Sequence, residues 1–353
     1  MIQADPLIIA TLDKLLADQC SDDVVNAADN GQWPESLWQS LEATGLSRAW
    51  ISEGAGGGGA SLADGFAIAR LSGHHAIPVP LTETLLASYL LAAAGLDVPA
   101  GPMTIAPVYG DAALPAVANG RFSGTVQRLP FAHSAQHAVC TVTLESGVGL
   151  ALFNRNAWRV GEMAGAARGI DADVTFDGAP VASVGVGEGD WGNALVLMGA
   201  ALRSQQIAGA LAHILAQSSD YAQTRTQFGR AIVKFQVVQH NLAILAGEVA
   251  AASAAADAAM KTIIHYGLTD PRTFMAVASA KIRAGEAANA GAAIAHQVHG
   301  AIGFTREYSL HHRTRRLWAW RDDFLPERVW AARLGQFVCG QGADELWPML
   351  TSI

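Results

Sequence analysis

Residues 225–239 read RTQFGRAIVKFQVVQ, and the reading of this stretch decides the fold. Long runs with apolar residues at helical spacing lie on both sides of it, and Gly229 falls between them. The stretch is therefore a turn between two long helices. Arg225 and Gln227 come at the end of the first helix, and Gln236, Gln239 and His240 near the start of the second. A guanidinium is the natural partner of a phosphate, and a Gln amide can bond a phosphate or the polar edge of a ring. The residues alone leave a second reading open, in which Arg225 caps helix carbonyls and the Gln side chains face water.

Working outward, candidate helices cover 191–223, 231–266, 270–299 and 321–340, broken at QFGR, HYGLTDP and HGAIGF, where Gly and Pro stand in the expected places. Residues 297–308 read QVHGAIGFTREY, where Gln297, Gly300 and Gly303 interrupt a helix. Glycine at such a break lets a ligand approach the backbone closely, although a plain helix–turn–helix fits equally well. Between 101 and 188 the chain changes to short β-branched or alternating runs separated by Gly, Asp and Asn, the pattern of a small β domain. Residues 1–100 return to helical spacing, and the glycine-rich SEGAGGGG leads into a helix starting near Ser61. No strand precedes that glycine run and no Lys-Ser/Thr follows it, so close backbone packing explains it better than a phosphate cradle. The expected fold class is α+β multidomain: a helical N-terminal domain (1–100), a small antiparallel β domain (101–188) and a C-terminal four-helix bundle (189–353).

With 353 residues the chain exceeds one ordinary core, in keeping with two or three domains. It is 51% hydrophobic and only 15% charged, so part of the apolar excess is expected between subunits of an oligomer. A net charge of −8 argues against a nucleic-acid partner without excluding a small anion at a local basic site. Three separated cysteines, Cys20, Cys140 and Cys339, imply neither a disulfide framework nor a metal site. The N-terminus has no basic leader, and the most apolar stretch, 241–260, is interrupted by Glu248 and Asp257. A cytoplasmic protein without a membrane partner is the expectation.

The patterns R-x-Q-F-G-R-x-I-x-x-F-Q-x-x-Q at 225–239 and Q-x-x-G-x-x-G-F-T-x-E-Y at 297–308 together resemble the acyl-CoA dehydrogenase family. The order of helical, β and bundle segments resembles it too. The resemblance implies an FAD enzyme that dehydrogenates an acyl-CoA thioester to the trans-2-enoyl-CoA. A carboxylate takes the Cα proton, a hydride leaves Cβ for flavin N5, and an electron-transfer flavoprotein or similar acceptor follows. It also implies a homo- or hetero-oligomer, dimer or tetramer, with the flavin dinucleotide reaching across subunits. Arg225, Gln227, Phe228 and Gln236 would contact the dinucleotide, and Gln297, Val298, His299, Gly300 and Ala301 would form the backbone segment beside its diphosphate. Two departures stand out. Gly300-Ala301 replaces the family's Gly-Gly, and residues 101–125 lack its Thr-Glu-Pro and Gly-Ser-Asp signature.

The family keeps its catalytic Glu at one of two places. One corresponds here to Gly199, Ala200 and Ala201, none of them acidic. Counting forward from Phe304, the other lands on Phe324, one residue after Asp323. Asp323 is the candidate base, shorter than Glu by roughly 1.5 Å of reach. The alternative is that Asp322 and Asp323 cap a helix or pair with Arg315, Arg316 or Arg321. The missing Glu and depleted β domain also resemble the shorter, non-catalytic member of paired subunits acting on steroid-like or other bulky acyl-CoAs. Arg203 and His213 could approach the substrate or face a subunit. The Trp residues at 318, 320, 330 and 347 suit packing. No metal is expected at His74-His75 or His311-His312, because adjacent side chains diverge.

Overall fold

The computed structural model describes residues 3–108, 114–163, 171–185 and 189–351. Residues 109–113, within the stretch that departs from the family signature, and 186–188, at the expected domain boundary, lie outside these. The chain divides into two compact units, Met1–Ala69 with Ile77–Gly199, and Arg70–Ala76 with Ala200–Ile353.

The first unit opens with α1 (Pro6–Gln19), α2 (Asp22–Asp29) and α3 (Glu35–Ala43). Asp5 caps α1 by accepting from Leu7 N, and Pro6 takes the first turn, where no amide donor is missed. Helix α4 (Leu62–His75) starts one residue after Ser61. Ser61 N donates to Asp64 Oδ2 (2.8 Å) and Asp64 N to Ser61 Oγ (3.3 Å), a reciprocal cap built with Asp in place of Glu. Helix α5 (Leu81–Ala93) is apolar nearly all round and buried to match.

The β segment contributes β1 (Met103–Ile105), β2 (Val117–Ala118), β3 (Arg121–Pro130), β4 (His137–Leu144), β5 (Gly147–Asn154), β6 (Trp158–Met163), β7 (Asp171–Pro180) and β8 (Ser183–Gly185). They form two four-stranded sheets, β1-β4-β5-β8 and β2-β3-β7-β6. All named pairs in these sheets are antiparallel except β1 with β4, which are parallel. Inward residues interdigitate around Phe122, Phe153 and Phe176, whose ring centroids lie 4.8–5.2 Å apart.

Helix α6 (Trp191–Thr224) leads into the second unit, followed by the hairpin β9 (Thr226–Gln227) and β10 (Arg230–Ala231), then α7 (Gln236–Tyr266), α8 (Pro271–His299), α9 (Leu310–Asp322), α10 (Glu327–Gln341) and α11 (Leu346–Thr351). The core joins Ile207, Leu211 and Ile214 to Leu245, Val249, Leu310, Leu317 and an alanine face on α8. Small residues on α8 let its neighbours come close: a methyl on Gly291 would strike Leu211 Cδ2. By length and composition alone α6 and α7 are apolar enough to cross a membrane, but the apolar window of α6 is 94% buried within the protein.

The last turns of α4 belong to this second unit. Arg70 Nε donates to Gln205 Oε1 and its Nη2 to Asp257 Oδ1, both at 2.7 Å. At Gly73 an added methyl would land on Gln206 O, and at Gly209 on Arg70 O, so two glycines facing opposite ways permit the helix crossing.

The expected continuous helix over 321–340 is corrected. α9 stops at Asp322 and α10 begins at Glu327. Pro326 cannot donate to a continuing helix, and Phe324 (φ 52°) and Leu325 (φ 74°) are left-handed, which interrupts the helical path.

Candidate functional site

The hairpin after α6 is a two-residue turn in which Phe228 (φ 52°) and Gly229 (φ 78°) are both left-handed, as a tight antiparallel turn demands. Ile232 N closes it by donating to Arg225 O at 2.9 Å. Arg225, Gln227 and Gln236 are exposed, and Phe228 is 92% exposed at the tip. The Arg230 guanidinium lies 4.3 Å from the Phe235 ring centroid and braces the base of the turn. Gln236 is the first residue of α7, whose start carries no side-chain cap. A guanidinium, exposed amides and the positive end of a 31-residue helix thus share one short segment.

The second segment closes α8. Gly300 (φ 65°) ends the helix by donating its N–H to His296 O, and Gly300–Phe304 form one 3-10 turn. Gln297, Gly300 and Ala301 are exposed, whereas Val298 and His299 are buried. The His299 ring is fully engaged: Nδ1 contacts Ala295 O at 2.8 Å, Nε2 contacts Tyr308 Oη at 3.0 Å, and the ring stacks on Tyr221 at 4.5 Å. Burial holds its pKa below the usual imidazole value. Tyr221 also donates to His299 O at 3.3 Å and accepts from Arg225 N at 2.8 Å through its own carbonyl. Through Tyr221, which the sequence reading did not single out, the ends of α6 and α8 become neighbours. The two motifs supply what a dinucleotide diphosphate requires: a positive charge, exposed amides, and a turn where a Cβ on Gly300 would meet nothing within 4 Å. The residues present fit FAD, with Val298 and His299 offering backbone only.

At the α9–α10 break Asp323 turns inward. Arg203 Nε donates to its Oδ2 at 2.9 Å, with only 2% and 4% of the two side chains exposed. Arg203 Nη1 donates to Gln206 Oε1 at 2.6 Å. Lys281, also buried, donates Nζ to the carbonyls of Trp320 (3.2 Å) and Arg321 (2.5 Å), satisfying the end of α9. Burial pushes the Lys281 pKa down to about 8, against the opposing pull of Asp323, Glu327 and Asp322. Phe324 is buried with its ring 5.7 Å from the Arg203 guanidinium, and its carbonyl accepts from Trp330 Nε1 at 2.9 Å. Arg321 Nε reaches Glu327 Oε1 at 2.6 Å. Asp323 is thus paired with a residue 120 positions away in the chain. The available signal was Arg203 itself, a charge within the apolar run LVLMGAALRSQQIAGAL.

The histidines pack in pairs. His213 Nδ1 lies 3.4 Å from His74 Nε2, and burial, with Arg313, His74 and His75 adding to it, lowers the His213 pKa to about 3. Burial and His311 with the neighbouring arginines do the same to His312. Among the described residues no group of three or more His, Cys, Asp or Glu side chains is placed to hold a metal. Of the tryptophans, Trp330 is buried and Trp347 exposed.

The C-terminal domain model of the acyl-CoA dehydrogenase family matches residues 196–320. Acyl-CoA dehydrogenase IpdE2 of Mycobacterium tuberculosis is 31% identical over 290 residues, covering 81% of this chain and 80% of that one. The protein of the same name from Mycolicibacterium smegmatis is 28% identical over 314 residues, covering 88% and 91%. Among solved structures, the ChsE4-ChsE5 complex of Mycobacterium tuberculosis superposes with a TM-score of 0.85 at 22% identity, covering 95% of this chain and 97% of that one. The Tcur3481-Tcur3483 steroid ACAD variant gives 0.82 at 22%, with the same coverage. The FAD complex of PigA gives 0.79 at 16%, covering 97% and 100%. At these identities the structural likenesses establish the fold.

Proposed function

The chain belongs to the acyl-CoA dehydrogenase family, and from that premise we propose that it is the flavin-contributing subunit of a two-chain acyl-CoA dehydrogenase whose partner supplies the base. The buried Arg203–Asp323 pair carries this reading. Taking an α-proton from a thioester requires a carboxylate with a lone pair facing the substrate in a site poor in water. Asp323 instead gives Oδ2 to a guanidinium inside the bundle, and Phe324 occupies the position to which the family register counts.

In this reading the chain's work is binding. Arg225 supplies charge to the diphosphate of FAD, Gln227 and Gln236 supply amides, and Phe228 an apolar face. The backbone from Gln297 through Val298, His299 and Gly300 to Ala301 lies alongside. FAD, when bound, takes up the hydride leaving Cβ. The implied partners are an acyl-CoA, a second dehydrogenase chain and an electron-transfer flavoprotein or similar acceptor, in the cytoplasm. Two of the structural relatives are described as two-protein pairs, one of them a steroid ACAD, which favours a bulky cyclic acyl group.

The test compares the purified chain, alone and co-expressed with acyl-CoA dehydrogenase chains of its source, by 450 nm absorbance and by dye reduction with straight-chain and cyclic acyl-CoA thioesters. Flavin and turnover that appear only with a second chain are expected. Turnover by the chain alone, abolished in Asp323→Asn, would assign the base to Asp323 and overturn the proposal.

A further inference from the structure

Far along the chain from both motifs, the first unit contains a cavity of ≈ 360 Å³ lined by Glu42, Gly45, Ser47, Arg48, Gly56, Gly57, Thr84, Pro99, Ala100 and Gly101. Three of its glycines, Gly45 (φ 73°), Gly56 (φ 75°) and Gly101 (φ 92°), are left-handed, and a Cβ on Gly45 or Gly56 would meet nothing within 4 Å. These turns carry backbone to the wall without side chains to fill the space. Arg48 is the lining group least spent on the fold. Arg48 donates one bond, from Nη2 to Val98 O at a long 3.4 Å. Its Nε is shut off from solvent and bonds to nothing among the described residues. Beside it, Ser47 is buried. Thr84 is already used, bonding both N and O of Met103.

With one long bond to the protein, the Arg48 guanidinium keeps donor capacity, and an oxyanion accepts strongly from such a group. Among the described residues Arg48 is the only cationic side chain lining the cavity, with Glu42 the only anionic one. We propose that this cavity binds a small ligand through one carboxylate or phosphate group, held by the accessible part of the Arg48 guanidinium with Ser47 beside it. The volume suits a metabolite of about a dozen heavy atoms, at the small end of ligand pockets. Glu42 adds a preference for a ligand that carries a hydroxyl or amine donor as well. The glycine run read from the sequence as packing thus forms part of a binding wall. All the lining residues fall within the first unit, so the proposal stands apart from the flavin reading.

Isothermal titration of the full chain with inorganic phosphate, glycerol 3-phosphate and serine tests it, the three probes separating a free anion, a phosphomonoester and a carboxylate with a donor. Saturable binding of at least one probe is expected, weakened at least about tenfold in Arg48→Gln and unchanged in Arg121→Gln, a surface control whose guanidinium bonds Gly178 O. If Arg48→Gln does not fold, hydrogen exchange of the wild-type chain decides, with ligand-dependent protection expected in peptides covering 44–58 and 97–103. Absence of saturable binding by all three probes, equal binding by Arg48→Gln, or protection confined to other peptides would overturn the proposal.

Discussion

Arg203 and Asp323 are more useful to each other than either would be alone. Removing one partner takes a close opposite charge from a buried ion, so Arg203→Met should cost about 3–5 kcal/mol in urea unfolding, while Arg203→Met with Asp323→Leu should recover much of it. A loss in the single variant no larger than that of an exposed arginine would show that the pair contributes little. Lys281 gives a second residue-scale expectation. Its folded pKa, about 8, lies below the ordinary 10.5. Between those values the unfolded chain binds the extra proton, so stability gains from rising pH. The difference in stability between wild type and Lys281→Met should therefore shift in favour of wild type from pH 8 to pH 10.5, followed by denaturation at fixed ionic strength. At this scale the sequence disclosed that Asp323 was unusual but not that it meets Arg203, because a partner 120 positions away leaves no local trace, unlike Arg315, Arg316 and Arg321.

Helices and turns were easier to read where glycine or proline marks them. The hairpin at Gly229, the end of α8 at Gly300 and the start of α8 at Pro271 all carry such marks. The break at 323–326 carries only Pro326 at its end, and its start is hidden because Phe324 and Leu325 hold left-handed angles that neither residue type advertises. At the crossing of α4 with α6, Gly73→Ala or Gly209→Ala places a methyl on a backbone carbonyl that cannot swing aside. Each should cost about 1–3 kcal/mol or more, seen as a lowered Tm, whereas Gly335→Ala on α10, with open space around it, should not. The same crossing carries His213. Its pKa of about 3 lies below the unfolded 6.5, so the unfolded chain binds more protons between them and stability falls as pH drops from 6.5 toward 3. His213→Gln should flatten that part of the acid-unfolding curve relative to wild type.

At the scale of the whole molecule, the flavin proposal predicts that Arg225→Ala in the two-chain complex weakens FAD retention about 10- to 100-fold, the value of one charged hydrogen bond, measured as flavin content after gel filtration. Flavin retained at wild-type level would remove Arg225 from the site. The order of helical, β and bundle segments was legible because each has its own hydrophobic period. The compact units were not, since periodicity says nothing about which helix end packs where. Residues 70–76 read as the tail of an N-terminal helix, yet Arg70 and Gly73 commit them to the unit formed by Ala200–Ile353. That commitment sets a timetable on the ribosome. Arg70 emerges 135 residues before Gln205, its partner, a delay on the order of 10 s at ordinary elongation rates. Until then the polar groups of this nascent helix end have no mate in the second unit.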